Sequence, residues 1–192
     1  MRKDLFMKQT QHKNKLVKLV FTSLFAALVC VSTMMVKIPT STNGYIHLGD
    51  AMVLLSGFLL GPFYGVIASA LGSMFADVFG SYFIYAPATF IIKGLTALFA
   101  CLIAKIVMRL LKKHQAMAYI AGGIVGELFM VFGYYLFEAT VCGYGFVAAA
   151  LSIPANILQG VSGIVIGVLL VLIFNKTHIT ERFISKYGFL DL

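Results

Sequence analysis

Two long apolar runs without a charged residue constrain this chain more than any other feature. Residues 19–36 and residues 51–76 contain no Asp, Glu, Lys or Arg. Each is long enough to cross the hydrocarbon layer of a bilayer as a helix, which takes about 17–25 residues. The whole chain is 60% hydrophobic and only 11% charged, whereas a soluble domain is about a quarter charged. The sequence therefore predicts an all-α integral membrane protein.

Proline and glycine clusters divide this apolar sequence into six predicted transmembrane helices. Gly61-Pro62 marks the turn between the second helix and the third, both of which are short. We expect Asp50 to cap the second helix by accepting from its free amides. The six-helix domain is predicted to cover residues 16–175, between a basic cytoplasmic segment at 1–15 and a cytoplasmic tail at 176–192. The predicted helices are residues 16–36, 48–60, 63–79, 88–111, 117–137 and 147–174.

The basic residues set the predicted orientation. Of the fifteen Lys and Arg, six lie in the first eighteen residues, four at 105–113 and three at 176–186. With six crossings these three groups share one side of the membrane, which is the positive-inside pattern of a cytoplasmic face. If the second and third helices were fused, the chain would cross the membrane five times and the basic residues at 105–113 would lie outside. The positive-inside pattern argues against that arrangement. The net charge of +8 thus reflects topology rather than binding of nucleic acid.

Glycine pairs at a spacing of four predict close helix contacts. Gly122 and Gly126 form one such pair, and Gly163 and Gly167 form another. Small residues at this spacing let helix backbones approach closely in lipid, either inside the bundle or against a partner subunit. Both interpretations are open on the sequence alone.

The sequence shows no catalytic, metal-binding or nucleotide-binding motif. Its four histidines are scattered over the termini and loops without metal-ligand spacing, and it contains neither a P-loop nor a G-x-G-x-x-G segment. We expect no cofactor on this chain and no enzyme activity. Two alternatives to a binding subunit of a transporter are an integral-membrane enzyme and a self-sufficient secondary transporter. The histidines are His12, His47, His114 and His178.

Ionisable residues within predicted spans are costly in lipid and therefore informative. Asp77 lies near the end of the third helix, and Lys93 lies about one turn into the fourth. These two side chains could pair across the loop between them, or Lys93 could meet a ligand. Glu127 and Glu138 follow on the fifth helix.

Polar residues on the last two helices predict a cavity. Tyr134 and Glu138 share one face of the fifth helix, and Asn156 and Gln159 share one face of the sixth. Because lipid cannot satisfy such groups, they should face the bundle interior. Amides and a carboxylate among aromatic rings suit a flat heteroaromatic solute with several donors and acceptors.

Four segments of the chain have a familiar pattern: YIHLGD at 45–50, LLGPFYG at 59–65, GSMFAD at 72–77 and YAPATFIIKG at 85–94. They resemble the substrate-binding S components of energy-coupling factor (ECF) vitamin transporters, in the branch with hydroxymethylpyrimidine and vitamin B6 type S components. A further segment, IPANILQG at 153–160, looks like that family's ligand-facing segment. The resemblance covers about residues 16–174.

The resemblance implies a function and a set of partners. Such proteins are multi-pass subunits of the bacterial plasma membrane that capture a vitamin or precursor outside, here pyridoxine-like or hydroxymethylpyrimidine-like. They assemble with a transmembrane coupling subunit and two ATPases, which use the ATP, and topple to release the ligand inward. The family's Ala-x-x-x-Ala docking motif on helix one corresponds to Ser23 and Ala27 here.

The resemblance and the polar pattern together give the predicted ligand site. The first outer loop covers the ligand in this family, which would place Asn43, Tyr45 and His47 over the cavity. The full predicted site consists of Asn43, Tyr45, His47, Lys93, Tyr134, Glu138, Asn156 and Gln159.

Overall fold

The described part of the chain is almost entirely helical. The computed structural model describes residues 2–35, 37–39, 45–111 and 114–178, with side chains from residue 14 onward. A hairpin of two-residue strands pairs Ile38 with Ile46 and Pro39 with Tyr45. The elements are α1 (Arg2–Met35), β1 (Ile38–Pro39), β2 (Tyr45–Ile46), α2 (Gly49–Phe79), α3 (Ala86–Leu111), α4 (Gln115–Thr140), the short α5 (Gly145–Ala149) and α6 (Ile153–Lys176).

Five helical stretches in the described part are long and apolar enough to cross a membrane. α5 and α6 are joined through a 3-10 turn at Ala150–Ser152 and together form one of the five. Large apolar side chains on the outer faces of the helices are exposed, as Leu110, Val147 and Leu169 show. Such a surface is stable in contact with lipid, so the predicted all-α membrane class is supported by the helix lengths and their apolar outer faces.

α2 contains a sharp turn that brings its two ends to the same side of the bundle. Gly61 has a φ of 77° inside the helix, and Pro62 follows it. The Oγ atoms of Ser56 and Ser69 lie 2.6 Å apart, although thirteen residues of straight helix would separate them by about 20 Å. α2 is therefore a helical hairpin, with a first arm at 49–60 and a second arm at 62–79.

The turn in α2 bears on the predicted helix count. The break expected at Gly61-Pro62 is present, because Gly61 leaves helical geometry and separates the first arm from the second. The first arm is about 18 Å long, shorter than the hydrocarbon core of about 30 Å. In the described part of the chain, five helical stretches are long and apolar enough to cross a membrane, and six crossings with cytoplasmic termini stay a prediction.

α2 occupies the centre of the bundle. It packs against α1, α3 and α6, while α4 packs against α3 and α6. The first arm is the most buried segment, and Val53, Leu54 and Leu60 are fully enclosed. Residues near the start of the first arm therefore face three other helices at once, which is what places a polar centre inside the protein.

Both glycine pairs pack inside the bundle. A Cβ at Gly126 would lie 2.8 Å from the Thr96 carbonyl oxygen of α3, and one at Gly163 would lie 2.8 Å from the Cβ of Asp50 in α2. Real Cβ atoms do not approach that closely. The small residues thus let α4 contact α3 and α6 contact α2, as expected for the internal alternative.

Candidate functional site

A polar cavity lies at the end of the bundle that carries the β hairpin, here called the hairpin end. The starts of α2, α3 and α6 and the ends of the second arm and of α4 meet there. About 30 Å³ remains between the side chains, which is room for about two water molecules. The cavity is lined by Tyr45, His47, Asp77, Tyr85, Thr89, Tyr134, Glu138, Asn156 and Gln159.

Six of the eight residues predicted to hold a ligand line this cavity. Of the other two, Lys93 lies below the lining, and Asn43 lies outside the described residues. The six are Tyr45, His47, Tyr134, Glu138, Asn156 and Gln159. Contact with a ligand stays a prediction for each of them.

The sequence reasoning missed two residues of the lining and misjudged a third. Tyr85 and Thr89 both line the cavity, and Asp77 does so too instead of pairing with Lys93. The sequence did contain a signal for Tyr85 and Thr89. They precede Lys93 at a spacing of four, so all three share one face of a helix.

A buried ion pair forms the floor of the cavity. The Lys93 ammonium group contacts Asp50 Oδ1, and both side chains are fully enclosed. Gln159 Nε2 donates to Asp50 Oδ2 at 2.8 Å. The Lys93 Nζ also lies 5.3 Å from the centroid of the Tyr134 ring, within the range of a cation–π contact. α2, α3, α4 and α6 are thus joined at one point.

This ion pair corrects two predictions. The pairing of Lys93 with Asp77 is wrong, because Asp50 reaches Lys93 from the first arm of α2. The capping role of Asp50 is wrong as well, since Leu48 occupies the N-cap position and no side chain caps the helix. Both errors have one origin, which is that Asp50 points into the bundle and not along the helix axis.

Two hydrogen bonds attach the cover of the cavity, residues 45–47, to the helices below. The Tyr45 hydroxyl donates to Asp77 Oδ1 at 2.7 Å, and the His47 amide donates to Gln159 Oε1 at 2.9 Å. Lys37 Nζ lies over the Tyr45 ring at 4.6 Å. Burial and the neighbouring Asp77 raise the pKa of Tyr45, so this phenol remains a donor.

His47 is neutral in this setting. Its Nδ1 accepts from the Gly49 amide at 3.0 Å, which requires an unprotonated nitrogen. Burial, together with the nearby Lys93 ammonium group, lowers the pKa of His47 to about 3. The lowered pKa means that the neutral imidazole persists throughout the physiological pH range. The cover therefore brings no positive charge from His47 to the cavity.

α3 and α4 form the opposite wall. The Tyr85 hydroxyl donates to Glu138 Oε1 at 3.3 Å, and the hydroxyls of Thr89 and Tyr134 lie 2.9 Å apart. Burial and the Glu138 carboxylate raise the pKa of Tyr85, which keeps its hydroxyl protonated. Phenol rings and hydrogen-bonding groups alternate along this wall.

A second feature lies on the side of α1. Ser23 and Ala27 are both exposed in an apolar groove of about 520 Å³ between α1 and the second arm. The groove offers a surface of small and apolar side chains to a neighbouring helix. It is lined by Thr22, Ser23, Ala26, Ala27, Cys30, Val31, Leu71, Phe75 and Phe79.

Comparison with known proteins gives three findings. A family model described as "ECF-type riboflavin transporter, S component" matches residues 13–176. A Pyrococcus woesei protein described as an uncharacterized protein in a gap 3' region is 34% identical over 140 residues, which are 72% of this chain and 88% of that protein. A solved S component of a bacterial ECF transporter has a TM-score of 0.61 at 21% identity, covering 83% of this chain and 96% of the other.

The attachment of the cover to Gln159 leads to a testable prediction. Gln159→Leu removes the acceptor of the His47 amide, and losing such a bond costs about 1–3 kcal/mol. Hydrogen–deuterium exchange of the backbone at 45–47, followed by mass spectrometry, should accelerate roughly 5- to 150-fold if the cover opens locally.

Asn156→Leu is the matched control, because Asn156 lines the same cavity one turn earlier and does not bond the His47 amide. Its exchange at 45–47 should stay close to that of the parent. Equal exchange in the parent and in Gln159→Leu would show that Gln159 does not fasten the cover.

Proposed function

Because this chain belongs to the family of ECF transporter S components, which are substrate-binding membrane subunits, we propose that it captures a small heteroaromatic vitamin or vitamin precursor outside the cell. The observation that supports this most is the polar, aromatic cavity at the hairpin end, with residues 45–47 fastened over it. Residues 45–47 would cover a ligand held there from one side. Membership of this family also means that the chain is a transporter subunit and not an enzyme.

We favour a single-ring ligand of the pyridoxine or hydroxymethylpyrimidine type. Pockets for drug-sized ligands usually hold about 300–1,000 Å³, whereas this cavity holds about 30 Å³. A ligand with a single small ring would need only a modest movement of the cover. Four aromatic side chains of the lining could stack on that ring. These four are Tyr45, His47, Tyr85 and Tyr134.

Riboflavin is the second candidate, because the description of the matching family names it. Its three fused rings and sugar-alcohol chain would require a much larger displacement of the cover. The same polar groups could bind its ring edge, so the two candidates differ mainly in the volume that must open.

We also propose six crossings with both termini in the cytoplasm. Basic residues gather at the end of the bundle opposite the hairpin: Lys18 Nζ lies 5.3 Å over the Tyr64 ring, just after the turn in α2, and Arg109 lies in the last turn of α3. The positive-inside rule assigns that end to the cytoplasm. The cavity then faces outward, where a vitamin is captured in the plasma membrane.

The partners in this proposal are a transmembrane coupling subunit and two ATPases, which would consume the ATP. The groove with Ser23 and Ala27 is the proposed docking surface, because small side chains let two helix backbones approach closely. This chain would itself bind no cofactor.

Ligand binding is tested by a thermal-shift panel on purified protein. Pyridoxine, hydroxymethylpyrimidine and riboflavin should be compared, since a ligand at 100 times its Kd stabilises the folded state by about 2.7 kcal/mol. We expect one single-ring compound to raise the melting temperature, and Asn156→Ala to weaken its binding by roughly 5- to 150-fold. Absence of any shift across B vitamins and their precursors would contradict the proposal.

Docking is tested by Ala27→Leu. A bulky side chain in the groove should separate the two helix backbones, so that uptake by the complete transporter is lost while the isolated protein binds its ligand as before. Ala148→Leu, the same change at an exposed site on α5, should leave uptake unchanged. Normal uptake by Ala27→Leu would exclude this groove, and uptake by the chain alone in liposomes would indicate a secondary transporter instead.

A further inference from the structure

We infer that the ligand presents hydrogen-bond donors or a positive charge to this cavity and carries neither a carboxylate nor a phosphate. This inference rests on the proposed function and narrows the chemical class of its substrate. It depends on which charged groups line the cavity and which are kept away from it.

Both charged residues of the lining are acidic. Asp77 and Glu138 line the cavity, and they are 4% and 3% exposed. The described residues of the lining include no Lys or Arg. The polar groups beside them are neutral amides, hydroxyls and an imidazole, so the formal charge of the lining is negative.

The cations of this region are held elsewhere. Lys93, for which contact with a ligand was one of the two alternatives open on the sequence, is paired with Asp50 below the lining, and both are fully enclosed. Lys37 Nζ lies over the rings of Tyr45 and Tyr82, at 4.6 Å and 5.4 Å from their centroids. Among the described residues, neither of these amines lines the cavity.

Asp77 provides a specific acceptor. Its Oδ1 accepts from Tyr45, but its Oδ2 is buried and has no hydrogen-bond partner among the described residues. A carboxylate oxygen buried without a donor is unfavourable, and an ionised carboxylate accepts but does not donate. A ligand hydroxyl, amine or ring N–H would satisfy this atom.

An anionic ligand would meet the opposite situation. Its charge would lie close to two carboxyl groups in a site of low dielectric constant, where like charges repel far more strongly than in water. Its hydration shell would be lost, and no Lys or Arg among the described residues of the lining would replace it. Alcohols and amines of a pyridine or pyrimidine ring avoid both costs, as does the uncharged flavin ring system.

Pairs of compounds that differ by one acidic group test the charge class directly. Pyridoxine and pyridoxamine should be compared with 4-pyridoxic acid and pyridoxine 5'-phosphate, and riboflavin with its 5'-phosphate, by calorimetric titration. The best neutral or amine compound should bind at least about tenfold more tightly than its acidic counterpart, a difference of about 1.4 kcal/mol.

Asp77→Asn isolates the proposed acceptor. This substitution preserves the shape of the side chain and an oxygen for Tyr45 while removing the charge. The affinity for the neutral or amine ligand should therefore fall several-fold. The ratio between its affinity and that of the acidic counterpart should become smaller. Glu127→Gln is the matched control: Glu127 is equally buried but does not line the cavity, and its replacement should leave both affinities unchanged.

The outcomes separate this inference from the proposed function. Equal or tighter binding of an acid or phosphate ester, or an unchanged preference in folded Asp77→Asn, would overturn the inference and leave a substrate-binding subunit in place. Failure of every compound to bind would overturn the proposed ligand class and this inference together.

Discussion

The buried contact between Asp50 and Lys93 is the interaction on which the rest of the site depends. Neither charge could be enclosed alone, because an unpaired ion inside a membrane protein is strongly destabilising. The pair requires the first arm of α2 and the first part of α3 to meet, and Gln159 adds α6 to the same point. Its net charge is zero, so it supports the cavity from below without presenting a cation to it.

The turn in α2 makes this arrangement possible. Because the chain reverses at Gly61, Asp50 at the start of the first arm and Asp77 near the end of the second arm lie at the same end of the bundle. One carboxylate then neutralises Lys93, while the other accepts from Tyr45 in the cover. A straight helix of the same length would place these two residues about 40 Å apart.

Much of this architecture can be predicted from the sequence, for physical reasons that are easy to name. Apolar runs and the charge asymmetry predict the helices and the basic end, and the Gly61-Pro62 dipeptide predicts the turn. Polar residues at helical spacing predict that Tyr134, Glu138, Asn156 and Gln159 face inward, since lipid cannot satisfy them.

Other features depend on distances that no sequence pattern contains. Lys93 pairs with Asp50 and not with Asp77 because of how deeply α3 sits beside the first arm. Proximity in the sequence favours Asp77, which is the wrong partner. Helix length likewise does not decide whether the short first arm crosses the bilayer. Tyr85 is a different case: its spacing of four from Thr89 was a usable signal, but an aromatic residue beside a loop is also typical of the membrane interface.

Lys93 belongs to the floor of the site, and we expect it to make no contact with the ligand. The direct test measures the free energy of unfolding and the ligand Kd of Lys93→Met alone and combined with Asp50→Asn, which keeps an acceptor for Gln159. The single variant should lose about 3–5 kcal/mol, because it leaves a buried charge unpaired. The double variant should recover most of that stability and bind with the parent's Kd. A stable double variant whose affinity has fallen by about tenfold or more, about 1.4 kcal/mol, would show that Lys93 contacts the ligand and would contradict its place in the floor.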